Sequence, residues 1–289
     1  MAGTSAQLRR LGAELRRLRE ATGRTQGDVG AALGRTHATL VNWERGKSKP
    51  SKSDLVCLLA ELRVPAELRK GLERLREDAT RGPSQWATYG LPGWLRPLVS
   101  FEEDAVRIET FEPVLVPGLL QTEDYARAVH AGGRRKVAPE HVEKWVAARM
   151  QRQRRLSGVA PVVLHAVISE AVLRLEVGGR AVFVRQLESL LDAIAADNIT
   201  LQVVAEAEDG YSDVASNFTV LHFDEPDADP PLGYFDGPLG GNMISDEGDV
   251  ARLARMFDDV CQLALSEADS TEALTAALKE LRKKGKTHA

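Results

Sequence analysis

The chain has only two cysteines in 289 residues, Cys57 and Cys261. That number rules out a disulfide framework, and no paired Cys/His spacing of the metal-ligand kind accompanies them. Each cysteine sits in a run with helical apolar spacing, so two buried thiols are expected. His141, His165 and His222 also lack ligand-like spacing, and no metal is expected. The run GPLGGN has no Lys-Ser/Thr of a phosphate loop and reads as a hairpin or loop turn. His165, Ser169 and Glu170 stand close in sequence without a Gly-x-Ser-x-Gly elbow. No cofactor and no catalytic residue are expected, and the chain reads as a non-enzyme. Long apolar runs are missing too. VLVPGLL and PVVLHAVI fall far short of the roughly 20 residues needed to cross a bilayer, and MAGTSAQLRRLG has no signal-peptide core. A cytoplasmic protein near the nucleoid, without membrane contact, is the expectation. Internal repeats are absent, and the only biased tract is a short basic tail, KKGKTH.

What is present is an uneven distribution of charge. The net charge is −4, yet residues 1–82 carry 17 Lys+Arg against 10 Asp+Glu, a net of +7, which leaves −11 for the remainder. Such a split is expected when one half meets phosphate and the other does not. Residues 186–281 hold 21 acidic and three basic side chains, a surface that repels DNA and suits a basic patch on a partner.

Apolar periodicity divides the chain into two domains. Leu8, Leu11, Leu15 and Leu18 share one face of a helix over 6–21, whose other face carries Arg9, Arg10, Arg16, Arg17 and Arg19. Thr25 with Asp28 forms a capping-box pair for a second helix that ends near Leu33 and buries Val29, Ala32 and Leu33. Gly34 supplies a turn, Thr36 caps a third helix, and Leu40 and Trp43 face the core. His37, Ala38, Val41 and Asn42 then face outward. Leu55, Leu58, Leu59 and Leu62 line a fourth helix, and Leu68, Leu72 and Leu75 a fifth. These five helices make an all-α helix-turn-helix domain over 1–80, with Val29, Leu33, Leu40 and Trp43 in its core. A connector over 81–100, rich in proline and glycine, carries Trp86, Tyr89 and Trp94, which should lie against the second domain. That domain, 101–285, is expected to be mixed α+β or α/β: helices over 102–110, after Gln121, over 139–156, 179–196, 249–265 and 271–284, with three or four strands that include VVLHAVI, ITLQVVA and NFTVLHF.

A recognition helix reads base edges from its outward face while its flanks grip phosphate. Asn42 can form paired hydrogen bonds to adenine, His37 can donate to a purine acceptor, and Ala38 can touch a thymine methyl. Gln26, Arg35, Thr36, Arg45, Lys47 and Lys49 surround the same face and are assigned to phosphate. The run TQGDVGAALGRTHATLVNWERGKSKPS resembles the Cro/repressor (XRE-type) helix-turn-helix: Thr25-Gln26 opens the second helix, Leu33-Gly34 ends it, and Trp43-Glu44-Arg45-Gly46 with Pro50 follows the recognition helix. The resemblance implies base reading by His37, Ala38 and Asn42 and a phosphate contact by Gln26. Gly27 and Gly30 depart from the pattern, which more often has Glu and Ala there.

In the second domain, EPVLVPGLLQTEDYARAVH, ARMQRQRRL, ISEAVLRLEVGG and ITLQVV resemble the actinobacterial group of WhiJ-like, Scr1-type antitoxin-like regulators. That resemblance implies transcriptional regulation with a small acidic partner protein, and double-stranded DNA with a palindromic or pseudo-palindromic operator is the partner expected of a dimeric helix-turn-helix protein. A homodimer is expected, joined by apolar residues of the second domain. Pro117, Gln121 and Tyr125 are the candidate ligand or partner residues there. Arg149, Arg152, Arg154 and Arg155 read either as a second DNA contact or as a solvated helix face.

Overall fold

The computed structural model describes residues 6–78, 85–132, 137–205, 216–224, 230–237 and 239–286. They gather into two compact units, one within residues 1–85 together with 223–230, the other within 86–222 and 231–289.

The first unit is all-helical. It contains α1 (Ala6–Ala21), α2 (Gln26–Ala32), α3 (His37–Glu44), α4 (Lys52–Glu61) and α5 (Ala66–Asp78). Leu11 and Leu15 of α1 meet Val29, Leu40, Trp43, Leu55, Leu58, Leu59 and Leu72 in one core, with Leu8, Leu18 and Leu33 packed at its edge. Each fully buried aliphatic side chain contributes ~1.5–3 kcal/mol, and helices as short as α2 and α3 depend on that packing. Their starts are fixed locally: Thr25, Thr36 and Ser51 each accept a backbone N–H of the first turn, and Thr25 and Asp28 complete a capping box. Three expected burials differ. Ala32 is exposed, because α2 ends there and its chain turns away toward Gly34. Leu68 is 47% exposed while Leu72 is buried, so α5 presents a narrower apolar stripe than its spacing suggests. Cys57 is exposed rather than buried, on the solvent side of α4 between Leu55 and Leu58, and only Cys261 is partly covered. The side chain of Leu75, residues 79–84, which include the first four of the connector, and residues 287–289, which include the last two of the basic tail, lie outside the described residues.

The second unit begins with a short 3-10 turn, Gln85–Tyr89, and α6 (Leu95–Asp104). Trp86 packs with Leu91, Val99 and Ala148, all in this unit. The elements that follow are β1 (Arg107–Glu112), α7 (Glu123–Ala131), α8 (Pro139–Gln153), β2 (Val163–Ser169), α9 (Arg180–Ala193), β3 (Ile199–Val204), β4 (Phe218–His222), β5 (Leu232–Gly237), β6 (Gly240–Ile244), α10 (Glu247–Leu263) and α11 (Glu267–Lys286). The strands form one mixed sheet in the order β3-β2-β1-β4-β5-β6. β1, β2 and β3 run parallel, and β4, β5 and β6 are antiparallel additions. The fold class is therefore the expected one, with six strands in place of three or four.

The helix expected over 102–110 is half helix and half strand. Ile108 and Phe111, three residues apart, mimic helical spacing. In the strand, Ile108, Thr110 and Glu112 share one face, and Glu109 and Phe111 the other. Glu109 survives burial because His222 and Arg107 pair with it. GPLGGN, read as a turn, joins β5 to β6, with Gly237 opposite Gly240.

The two faces of the sheet are covered differently. Phe111, Val167, Val204, Phe218 and Val220 pack under Val250, Phe257 and Val260 of α10. On the opposite face stands an ion pair between α8 and α6: Arg152 Nε and Nη2 donate to Glu102 Oε2 and Oε1 at 2.6 and 2.7 Å, with 7% and 5% of the two residues exposed. Arg152 is thus a buried structural cation, which removes it from the solvated helix face considered for residues 149–155. Replacing one partner strands a buried charge, at a cost of about 3–5 kcal/mol. Arg152→Met is expected to lower unfolding stability by that amount in urea titration, and Glu102→Leu added to it should recover most of the loss. Equal destabilisation by the single and double variants would show that the pair does not hold α6 to α8.

Candidate functional site

α2 and α3 are joined by Leu33 to Thr36, with Gly34 at φ +64°. Arg35 N donates to Gly30 O at 2.8 Å, which folds the turn back on α2. A Cβ on Gly30 would stand 3.1 Å from Arg35 O and 3.4 Å from Leu40 Cδ2. Gly30 is needed for the approach of the turn and of α3. At Gly27 the nearest such neighbour is Thr25 Oγ1 at 3.7 Å, and nothing in the structure requires glycine there.

α3 carries His37, Ala38 and Asn42 exposed on its outer side, with Val41 half-buried beside them. The carbonyl of Asn42 accepts Lys47 N and Ser48 N at 2.8 and 3.2 Å, which closes the end of the helix. Its side chain makes no hydrogen bond among the described residues, and neither do those of His37, Arg45, Lys47 and Lys49. These groups are chemically uncommitted: one amide, one imidazole and three cations in a row along one short helix and its C-terminal loop. The remaining phosphate candidates are engaged. Arg35 donates twice to Asp54 Oδ1, at 3.0 and 2.8 Å. Thr36 accepts Thr39 N as the cap of α3. Gln26 turns inward, its Nε2 donating to Glu44 Oε2 at 2.8 Å.

Glu44 is the residue whose role the sequence did not reveal. It is 7% exposed, accepts Arg19 Nε and Nη2 at 2.7 and 3.0 Å, and also accepts Gln26. Arg19 Nη1 in turn donates to Arg24 O at 2.8 Å. The hydrogen bonds that Arg19 donates to Glu44 hold its guanidinium above its usual pKa. One buried pair therefore ties α1, the α1–α2 turn, α2 and α3 together, at the floor of an open cleft of about 650 Å3 that His37 and Arg45 also line. Gly12 and Gly46 permit this packing. A Cβ on Gly12 would lie 2.6 Å from Trp43 O and 2.7 Å from Glu44 O, and one on Gly46, at φ +61°, 2.8 Å from Arg9 Cα. A glycine in the middle of the α1 leucine pattern was the available signal.

In the second unit, Pro117 and Gln121 line a cavity of about 300 Å3 on the sheet face opposite α10. Tyr125, the third candidate, does not. It is fully buried, its hydroxyl accepts Val116 N at 3.3 Å, and its ring packs near Phe183. Burial raises its pKa, and its place is to shape the loop that bears Pro117. Gln121 is buried and holds the same loop through Nε2 to Val116 O at 2.7 Å, while its Oε1 accepts Arg149 Nη1. Sequence reasoning missed most of the cavity, because its polar lining (Glu102, Glu112, Arg149, Arg152, Tyr234 and Asp236) is spread over more than a hundred residues. Elsewhere, Ser169 Oγ caps Ala171 N, and His165 Nε2 bonds Gln202 Oε1.

Residues 10–72 match a family described as a helix-turn-helix domain, and residues 95–276 match the family described as a domain of unknown function (DUF5753). No curated protein and no solved structure matches the chain. Among the described residues no helix is long and apolar enough to cross a membrane, and no cluster of His, Cys, Asp and Glu could hold a metal ion.

Gly12→Ala places a methyl group on the backbone of α3. It is expected to lower the thermal midpoint of the first unit by several degrees although residue 12 is not one of the side chains assigned to DNA. A melting curve that matches the parent protein would contradict the close approach of α1 and α3.

Proposed function

The chain belongs to the family with the domain of unknown function DUF5753, and we propose that it is a sequence-specific DNA-binding transcriptional regulator of the XRE type. The observation that carries this reading is the row of uncommitted side chains on α3 and the loop after it, His37, Ala38 and Asn42 beside Arg45, Lys47 and Lys49. The exposed first turns of such a helix enter the major groove, and free cations on its flank meet phosphate. Asn42 has the geometry for adenine, His37 for a purine acceptor, and Ala38 for a thymine methyl. Arg35 and Gln26 serve phosphate only by giving up Asp54 and Glu44, so we place them second to Arg45, Lys47 and Lys49.

The protein acts as a homodimer in this reading, its two helix-turn-helix units on half-sites ~34 Å apart, and it belongs to the WhiJ-like, Scr1-type antitoxin-like group. Its second unit receives a small ligand or partner protein and carries no catalytic step. The cavity beside Pro117 and Gln121 favours the ligand.

Selection of bound fragments from a random DNA pool, followed by footprinting, tests the reading. Two protected half-sites one turn apart are expected. Asn42→Ala should cost roughly 1–3 kcal/mol on the selected site and relax base preference, whereas Lys47→Ala should weaken all sequences alike and reduce the salt slope by about one. Equal losses on selected and random DNA for Asn42→Ala would remove it from the base-reading set, and failure to enrich any sequence would reject the proposal.

A further inference from the structure

The floor of the cavity of the second unit is built from four strands, with Leu164 the contribution of β2 and alternate residues of β1, β4 and β5 around it. Thr110 and Glu112 of β1, Thr219 of β4 with Asn217 just before it, and Tyr234 and Asp236 of β5 point into it. α6 closes it with Trp94, Leu95 and Leu98, the loop before α7 with Leu115, Pro117 and Leu119, and α8 with Arg149 and Arg152. Its volume of about 300 Å3 lies at the small end of ligand sites.

The charges on its wall are not all satisfied within the protein. Arg152 and Glu102 satisfy each other through two hydrogen bonds. Among the described residues Arg149 has no carboxylate partner. Its side-chain hydrogen bond goes to the neutral amide oxygen of Gln121, and its Nε is cut off from solvent with nothing to donate to. That Nε and Arg152 Nη2 come together at Gly118, 3.9 and 3.7 Å from where a Cβ would stand. Arg149 is a half-buried cation with no anion beside it among the described residues, and burial, with Arg152 adding to it, lowers its pKa to about 10. The Tyr234 hydroxyl is likewise buried without a partner. Two carboxyls of the same lining, Glu112 and Asp236, crowd each other. Asp236 takes the amide of Asn217, while burial and then Asp236 push the Glu112 carboxyl up to about 8. Arg149 feels both carboxyls electrostatically yet forms an ion pair with neither. One lining thus carries an unpaired cation, two carboxyls and the apolar side chains of Trp94, Leu98 and Leu119. A neutral or singly charged ligand would satisfy one side and leave the other buried without a partner, which is costly.

We infer that this cavity binds a free amino acid with an apolar side chain, its carboxylate on Arg149 and the Tyr234 hydroxyl, its ammonium between Glu112 and Asp236, and its side chain against Trp94, Leu98 and Leu119. The inference deepens the reading of the second unit as ligand-binding and does not depend on the DNA-binding reading of the first.

Calorimetric titration of the full chain, without DNA, tests it with a panel of L-leucine, L-methionine, L-phenylalanine and L-tryptophan, and with two halves of phenylalanine, 3-phenylpropionate and phenethylamine. At least one of the four amino acids should bind. Where phenylalanine does, each half should bind at least about tenfold more weakly, since each lacks one charge-assisted contact. Arg149→Gln should abolish amino-acid binding, and Tyr234→Phe, which removes one oxygen and no charge, should weaken it about tenfold with an unchanged melting profile. The second variant keeps the test open if Arg149→Gln fails to fold. Equal binding by 3-phenylpropionate would make this an anion site, and equal binding by phenethylamine a cation site. Either result, no binding by any of the four amino acids at millimolar concentration, or unaltered affinity in Tyr234→Phe, overturns the inference. Because the titration contains no DNA, its failure leaves the footprinting result standing, and the converse holds.

Discussion

The recognition helix owes its position to one buried carboxylate. α3 has eight residues, too few to be stable as an isolated helix, and its direction is set by what its inner side and its last turn rest on. Glu44, in that last turn, takes both donors of the Arg19 fork and the amide of Gln26. Three helices are thereby fixed around one charged group that solvent hardly reaches. A buried pair of this kind does not add much net stability over an apolar contact, but its geometry is demanding, and a partner lost is expensive. Its contribution is therefore definition: α3 can lie on α1 in one way, with Gly12 and Gly46 admitting the backbones to contact and His37, Ala38 and Asn42 turned outward as a consequence.

The second unit applies the same constraint and then departs from it. Arg152 and Glu102 cancel each other inside the wall of the cavity as Arg19 and Glu44 do beneath the cleft. One turn of α8 earlier, Arg149 has no such partner among the described residues. The sheet explains how both conditions arise within one fold. Alternation along a strand sends Phe111, Phe218 and Val220 to the apolar face under α10, and sends Thr110, Glu112 and Thr219 to the other. Gly233 fits this parity, since a Cβ there would meet Leu253 of α10 at 2.5 Å, while Tyr234 beside it faces the cavity. One face is filled, and the other is polar and hollow.

The same difference decides what could be read from the sequence. In the first unit the information is local. Caps stand one residue before α2, α3 and α4, leucines recur at three and four, and a glycine marks the turn, so α1 to α4 and the outward row of α3 were legible with their boundaries. Glu44 was legible only as part of a motif, because its partner Arg19 lies 25 residues away on a helix face that looks uniformly basic. In the second unit β2, β3 and β4 were legible as apolar runs. β1 was not, since its cavity face carries Thr110 and Glu112 and its other face a paired Glu109, which leaves too little alternation to distinguish strand from helix. β5 and β6 were hidden by glycines that make room for neighbours: a Cβ on Gly241 would lie 2.0 Å from the Tyr234 hydroxyl. Tyr125 was singled out for its position in a distinctive stretch, and the structure assigns it to the core for an ordinary reason, that a tyrosine ring offers more apolar surface than its single hydroxyl costs when that hydroxyl finds a backbone partner.

A net charge of −4 seems at odds with a protein that meets phosphate, and the conflict disappears once distance is considered. At about 0.1 M salt an exposed charge is felt over ~10 Å. A phosphate against the end of α3 therefore responds to Arg45, Lys47 and Lys49, none of which has an acidic partner among the described residues. Arg16, Arg17, Arg24 and Arg35 contribute less than their number suggests, since each is paired with a glutamate or aspartate of the same unit. What matters for DNA is the number of cations left uncommitted beside the recognition helix. By that measure the first unit offers three strong positions, Arg45, Lys47 and Lys49.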